Sequence, residues 1–257
     1  MRTSPWNQPS ELAEPEVSIV TAVHRPRYLL ETWESVRLQE GASWEWVVQV
    51  DGEAADIEAW LPADMRADER VHVQAAGHFG IATTRNLALI RTRAGFVQTL
   101  DHDDLLLPGA LATLAAALRA DAELAFVFGD HMHLMPDGSL EPRPDARRLA
   151  AGRIEPRAIV ERWRAGHPHG MVPNATMWRK EYLYAYGGWS ALPVGDDYGV
   201  LFAVADRHPT AYVNEVVMHW RHYPEQSSAD PGRRALVDVQ RPFVFKRVDG
   251  MRRVRGS

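Results

Sequence analysis

The sequence predicts an α/β fold, a single domain built on a mixed, mainly parallel central sheet flanked by helices. Three observations lead there. Apolar runs of strand length alternate with stretches of helical period through the first hundred residues. Those strand runs are apolar nearly throughout, and acidic residues stand directly after two of them. Alternation of this kind implies parallel strands joined by helical crossovers, and near-continuous apolar strands are what burial on both faces requires. Ligands of such sheets gather at the carboxyl ends of the strands, so the acidic residues fall where a site is expected.

Val17 to Val23 is the first strand. Pro26 interrupts, and Tyr28 to Leu38 reads as a helix because Leu29, Leu30, Trp33, Val36 and Arg37 fall near a 3.6-residue period. Trp44 to Val50 is the second strand and ends in Asp51-Gly52; Val71-His72-Val73 is a short third. Ile81 to Arg91 is a helix whose Ile81, Leu87, Ala88 and Ile90 pack inward, and Ala94 to Leu100 is the fourth strand. Pro108-Gly109-Ala110-Leu111 opens another helix, with proline near its favoured first position. Beyond Phe126 to Asp130, Asp137-Gly138 marks a hairpin turn. The segments Glu141 to Arg148 and Arg153 to Met171 are expected to form a mobile cover. Phe243 to Ser257 carries Lys246, Arg247, Arg252, Arg253 and Arg255 with few apolar residues, the composition of a solvated, frayed end.

Leu100-Asp101-His102-Asp103-Asp104 places three carboxylates in four residues directly after the fourth strand. Like charges this close raise one another's pKa unless a cation or hydrogen-bond donors compensate them. Hard cations such as Mg²⁺ or Mn²⁺ take oxygen ligands, and Mg²⁺ is usually held by one or two carboxylates plus the oxygens of a substrate phosphate. For an isolated Asp-x-Asp the alternative is an acidic turn capping the following helix. His131, His133, His167 and His169 lack the cysteines or Glu-bearing helix that would complete a zinc site, and fit an acceptor pocket or surface better.

Five pieces in fixed order then carry a resemblance. Val17 to Arg25 resembles an opening strand with a nucleotide-contacting end, and Val47 to Gly52 a strand whose terminal Asp meets the base or ribose of a donor. Gly80 to Ala88 (GIATTRNLA) resembles a helix start bearing an Arg-Asn pair, and Leu100 to Asp104 a metal motif. Gly187-Gly188-Trp189, followed by Gly195-Asp196-Asp197-Tyr198, resembles an acceptor-side turn and its acidic pair. Over roughly Glu16 to Ser228 the chain is similar to the inverting glycosyltransferases of family 2, which have the GT-A, Rossmann-like nucleotide-sugar-binding fold.

The resemblance implies transfer of a sugar from a nucleoside diphosphate, UDP by default, to an acceptor hydroxyl, with Mn²⁺ or Mg²⁺ as cofactor. It implies donor contacts from Thr21, Ala22, Val23, Arg25, Asp51, Arg85, Asn86, Asp101 and Arg221, with His102 in the variable slot of the metal motif. Asp103 and His222 are the implied metal ligands, with His219 competing for the second place. Asp197 matches the general base with Asp196 beside it. The first of the pair is Asp where Glu is more frequent, so which one faces the acceptor stays open. Trp189 is the implied acceptor platform. Residues 1–15 are then an extension, 16–124 the nucleotide-sugar half, 125–228 the acceptor half, and 229–257 a C-terminal helix and basic tail.

Composition adds exclusions. A net charge of −5 gives no global basic field for nucleic acid, and the absence of cysteine excludes thiolate chemistry. The first fifteen residues lack the apolar core of a signal peptide and no apolar run reaches bilayer length, so a cytoplasmic enzyme is expected, with peripheral membrane contact through the basic tail as a further option. The acceptor is open between a glycan, a lipid-linked intermediate and a small-molecule natural product. A nucleotidyltransferase is the rival enzyme, but the loop Val23-His24-Arg25-Pro26-Arg27 has no glycine. A catalytically inactive nucleotide- or sugar-binding module is the rival non-enzyme, yet the carboxylates of the motifs are all present.

Overall fold

The computed structural model describes residues 13–53, 57, 60–143, 149–192, 194–226 and 229–254. The strands are β1 (Val17–Val23), β2 (Trp44–Val50), β3 (Val71–Ala75), β4 (Phe96–Thr99), β5 (Leu105–Leu106), β6 (Phe126–Leu134), β7 (Leu140–Pro142), β8 (Gly152–Ile154), β9 (Thr176–Arg179) and β10 (Thr210–Arg221). They form one sheet in the order β3-β2-β1-β4-β9-β6-β10-β5, with β7 added to β6 and β8 to β10. β3, β2, β1 and β4 run parallel. β9 enters antiparallel between β4 and β6, and β10 returns parallel to β6.

The apolar runs of the sequence are explained by burial from both sides. In β1, Val17, Ile19 and Val23 join one core cluster while Val20 joins the other. The first cluster is closed by α1 (Leu29–Arg37) through Leu29, Trp33 and Val36, and by α4 (Ala110–Ala120) through Leu111, Leu114 and Leu118. Between them in the chain lie α2 (Ala63–Ala67) and α3 (Ile81–Ile90). α3 covers the second face with Ala88 and Leu89, leaving Ile90 exposed. One polar knot ties β1 and β2 to the turn that precedes β4. The Ser18 hydroxyl donates to Glu45 (2.6 Å) and accepts the Ala94 amide (3.1 Å), while Arg93 Nε donates to Glu45 (2.6 Å). Burial opposes ionisation of Glu45, but hydrogen bonds from His72, Ser18 and Arg93 outweigh it and bring its pKa down to about 2.

Two expectations change. Arg153 to Met171 is largely packed rather than a mobile cover: β8 pairs with β10, and α5 (Ala158–Arg164) buries Ile159, Val160 and Trp163 in the second cluster. Of Glu141 to Arg148, positions 144–148 lie outside the described residues. The basic tail is not a frayed end as far as residue 254. It belongs to α8 (Pro231–Val254), which buries Val244 and Val248. Its cations point to partners: Arg247 donates to Ser190 Oγ (2.6 Å) and the Tyr186 carbonyl (2.8 Å), and Arg252 Nε to Asp206 (3.0 Å). The remaining helices are α6 (Lys180–Ala185) and α7 (Asp196–Ala205). Among the described residues no helix is long and apolar enough to cross a membrane.

Candidate active site

A cavity of about 1030 Å³ opens over the carboxyl ends of β1, β2 and β4. Its wall includes Ala22, Val23, Asp51, Asp101, Asp103 and the first turn of α7, with Trp220 of β10 on the far side. The strand ends of the parallel half therefore meet the acidic start of α7, although they lie far from it in the chain.

The acidic turn after β4 is held by groups outside its own motif. Asn174 Nδ2 donates to Asp101 Oδ2 (2.7 Å) and to Asp104 Oδ2 (2.9 Å). Asp104 Oδ1 accepts the Arg221 amide (3.0 Å), and the Thr32 hydroxyl lies 2.8 Å from the His102 carbonyl and 2.9 Å from that of Asp104. Tyr223 donates its hydroxyl to Asp103 Oδ2 (2.7 Å). No sequence motif names Asn174, Thr32 or Tyr223. Their types are ordinary, and only the folded chain brings them to the turn.

Arg85 organises the rest. It is 3% exposed and its guanidinium bridges Asp101 and Asp196, meeting the latter at 2.8 Å. Burial raises Asp101, but the Arg85 charge and the Asn174 and Arg85 hydrogen bonds outweigh it and keep its pKa below the ordinary range. Asp104 is raised well above that range by burial, then by the charges of Asp103 and Asp101. Asp197 differs from its neighbour Asp196: its Oδ1 accepts the Tyr198 amide (2.8 Å), and no described residue hydrogen-bonds its Oδ2. Burial and the Asp196 charge push its pKa up to about 7, against the opposing pull of Arg85.

Of the residues implied as donor contacts, Asp51 and His102 line the cavity, while Arg85, Asn86, Thr21 and Arg25 stand elsewhere, as does Trp189, the implied acceptor platform. Arg85 lies behind Asp101 and Asp196 rather than on the cavity wall. Asn86 clamps the Gly-Gly-Trp turn: its Oδ1 accepts the Trp189 amide (2.9 Å) and its Nδ2 donates to the Trp189 carbonyl (3.0 Å). Trp189 itself is 3% exposed within the second core cluster. Thr21 is buried, its Oγ1 accepting Trp46 Nε1 (2.8 Å), while Arg25 is exposed off the cavity wall. Asp51 lines the cavity, and its Oδ1 accepts the amides of Phe79 (2.6 Å) and Gly80 (3.1 Å), anchoring the start of α3. His102 also lines the cavity, edge-on to His24 at 5.1 Å.

Strand alternation in β10 separates the remaining candidates. Met218 and Trp220 face the cavity. Arg221 donates from Nε to the Asp103 carbonyl (2.9 Å) and lays its guanidinium over Tyr28 (4.2 Å). His219 pairs opposite Leu105. The His222 ring stacks on His133 (4.7 Å) and leans on Trp220 (4.5 Å).

The donor set suits a hard cation. Asp101, Asp103 and Asp104 each offer a carboxylate oxygen within 4.8 Å of the others, the one such group of three among the described residues, and it contains neither His219 nor His222. Asp101 and Asp104 have both oxygens engaged, whereas no described residue bonds Asp103 Oδ1, and Asp103 is on the cavity wall. Five carboxylates share this region, and the guanidinium buried among them, Arg85, is divided between two. An added divalent charge at Asp103 offsets that excess.

A sequence model described as Glycosyl transferase family 2 matches residues 18–187, about two-thirds of the chain. The O-antigen biosynthesis protein RfbC of Myxococcus xanthus is 34% identical over 128 residues, covering 48% of this chain and 10% of RfbC. The uncharacterized protein y4gI of Sinorhizobium fredii is 31% identical over 131 residues, covering 49% of this chain and 14% of that protein. The chain thus matches only about a tenth to a seventh of these relatives' length. Among solved structures, S. aureus TarS 1–349 in complex with UDP aligns with a TM-score of 0.61 at 16% identity, over 82% of this chain and 61% of that one. The same protein with UDP-GlcNAc gives 0.61 at 14% identity, over 82% and 60%. At such identities the likeness is one of fold.

Proposed function

The chain belongs to glycosyl transferase family 2, and on that premise we propose a reaction. It transfers one sugar from a nucleoside diphosphate to an acceptor hydroxyl by single, inverting displacement, with Asp197 as general base. The observation that carries this reading is the unequal acidic pair. Asp196 pairs with Arg85, while Asp197 faces the cavity with Oδ2 unengaged by any described residue and a pKa of about 7. A base poised near the working pH is the most effective one.

In the step, the acceptor oxygen forms the bond to the anomeric carbon as its proton passes to Asp197 Oδ2, and the bond from that carbon to the diphosphate oxygen breaks. Asp103 is the residue that holds Mn²⁺ or Mg²⁺, with Asp101 and Asp104 completing its surroundings. The cation, when bound, stabilises the negative charge of the leaving diphosphate. Asp51 receives the base or ribose at the opposite end. Residues 16–124 then serve the donor, and residues 125–228, through Trp220, His131 and His169 on the cavity wall, serve the acceptor. UDP is the proposed nucleotide, supported by the TarS complexes with UDP and UDP-GlcNAc. The acceptor is a hydroxyl of a glycan, a lipid-linked intermediate or a small-molecule natural product.

The test is Asp197→Asn assayed for sugar transfer and for UDP binding. The expected result is a kcat lower by about 10²- to 10⁴-fold with UDP affinity retained. Full turnover in this variant would remove Asp197 from the reaction.

A further inference from the structure

Phe79 is 61% exposed on the wall of the cavity, although a Phe ring is normally buried. The loop that carries it is tied down on both sides. Gly77 donates its amide to the Gly52 carbonyl (2.8 Å), and the amides of Phe79 and Gly80 both donate to Asp51 Oδ1. Gly77 has φ +83°, a left-handed backbone that favours glycine, and it sets the turn that presents the Phe79 ring. The result is an aromatic ring carried on a pinned backbone and open to the cavity.

We propose that the Phe79 ring is the stacking platform for the base of the donor nucleotide, an inference that rests on the donor reading above. Phe79 follows β3 and Asp51 follows β2, whereas Asp103 follows β4 and Asp197 opens α7 on the other side. A nucleoside diphosphate donor carries its base at one end and its reacting carbon at the other, with the diphosphate between. With the diphosphate at Asp103 and the reacting carbon at Asp197, the base extends toward the β2–β3 side. Of the cavity-lining residues that follow those two strands, Asp51 and the run Phe79 to Thr83, Phe79 alone offers a π face. Every base has a complementary one, so stacking supplies affinity while Asp51, its Oδ2 outside the loop-pinning bonds, supplies a polar contact.

The experiment is calorimetric titration of UDP, GDP, ADP and CDP, each with Mn²⁺, into the full chain. The tightest is then titrated into Phe79→Ala and Phe79→Tyr, with inorganic diphosphate as the baseless probe. The expected result is a loss of about 5- to 100-fold for the nucleotide in Phe79→Ala, recovery in Phe79→Tyr, and diphosphate affinity unchanged in both. Phe79→Trp adds a direct reading, because nucleotide should quench its emission and diphosphate should not. Nucleotide affinity unchanged in Phe79→Ala, or an equal loss of nucleotide and diphosphate, overturns the stacking role while leaving the donor reading intact. A wild-type chain that binds none of the four nucleotides overturns the donor reading, and this inference with it.

Discussion

Arg85 is one buried guanidinium serving two carboxylates, Asp101 and Asp196. Burial and then the Asp196 charge, against the pull of Arg85, push the Asp197 pKa up to about 7. Transfer should therefore rise with pH through about 7 as Asp197 becomes able to accept a proton, and kcat measured from pH 5 to 9 checks this. The same shift has a stability sign. A carboxyl whose folded pKa lies above its unfolded one stabilises the fold at pH below the unfolded value and loses that contribution as pH rises through the folded value. Asp197→Asn should accordingly raise the melting temperature relative to wild type at pH 8, and change it little at pH 4. Arg85 itself is predicted to be structural as much as functional. Arg85→Gln leaves the buried Asp196 and the half-buried Asp101 without their cation, a loss of about 3 kcal/mol readable by urea denaturation. An unchanged midpoint would mean that its partners do not need it.

The elements show which features can be read from local sequence and which cannot. β1, β2, β4 and α3 were legible because two-sided burial and helical period leave a local pattern, and the acidic turn was legible because its three carboxylates are adjacent. β9 between β4 and β6, and the pairing of β6 with β10, arise from partners distant in the chain, and no local pattern announces them. The same limit applies to Asn174 and Tyr223, which reach the acidic turn from 70 and 120 residues away. Orientation was the other gap. The Gly-Gly-Trp motif is visible, but its Trp points into the core because Asn86 grips its backbone. Gly188, at φ +67°, allows that grip, since a Cβ there would lie 2.1 Å from Asn86 Oδ1. Gly188→Ala should thus cost about 1–3 kcal/mol from the left-handed backbone alone, and more where Asn86 must move. α8 was legible as a helix but not as part of the core. Val248→Ala, a buried truncation, should cost about 2 kcal/mol, whereas a frayed end would tolerate it without change.

At the scale of the whole molecule, the parallel half of the sheet and the β6–β10 half meet around one cavity, and β10 links them by returning Arg221 and Tyr223 to the acidic turn. In the proposed reaction, Asp51 and Phe79 mark the donor side of that cavity, Asp197 the reacting side, and Asp103 the metal position between them. The central claim is that a nucleoside diphosphate and a divalent cation bind together at this middle point. Calorimetric titration of UDP with and without Mn²⁺, on the wild-type chain and on Asp103→Ala, tests it most directly. The account predicts binding that requires Mn²⁺ and disappears in the variant; UDP binding that is indifferent to both the metal and Asp103 would contradict it.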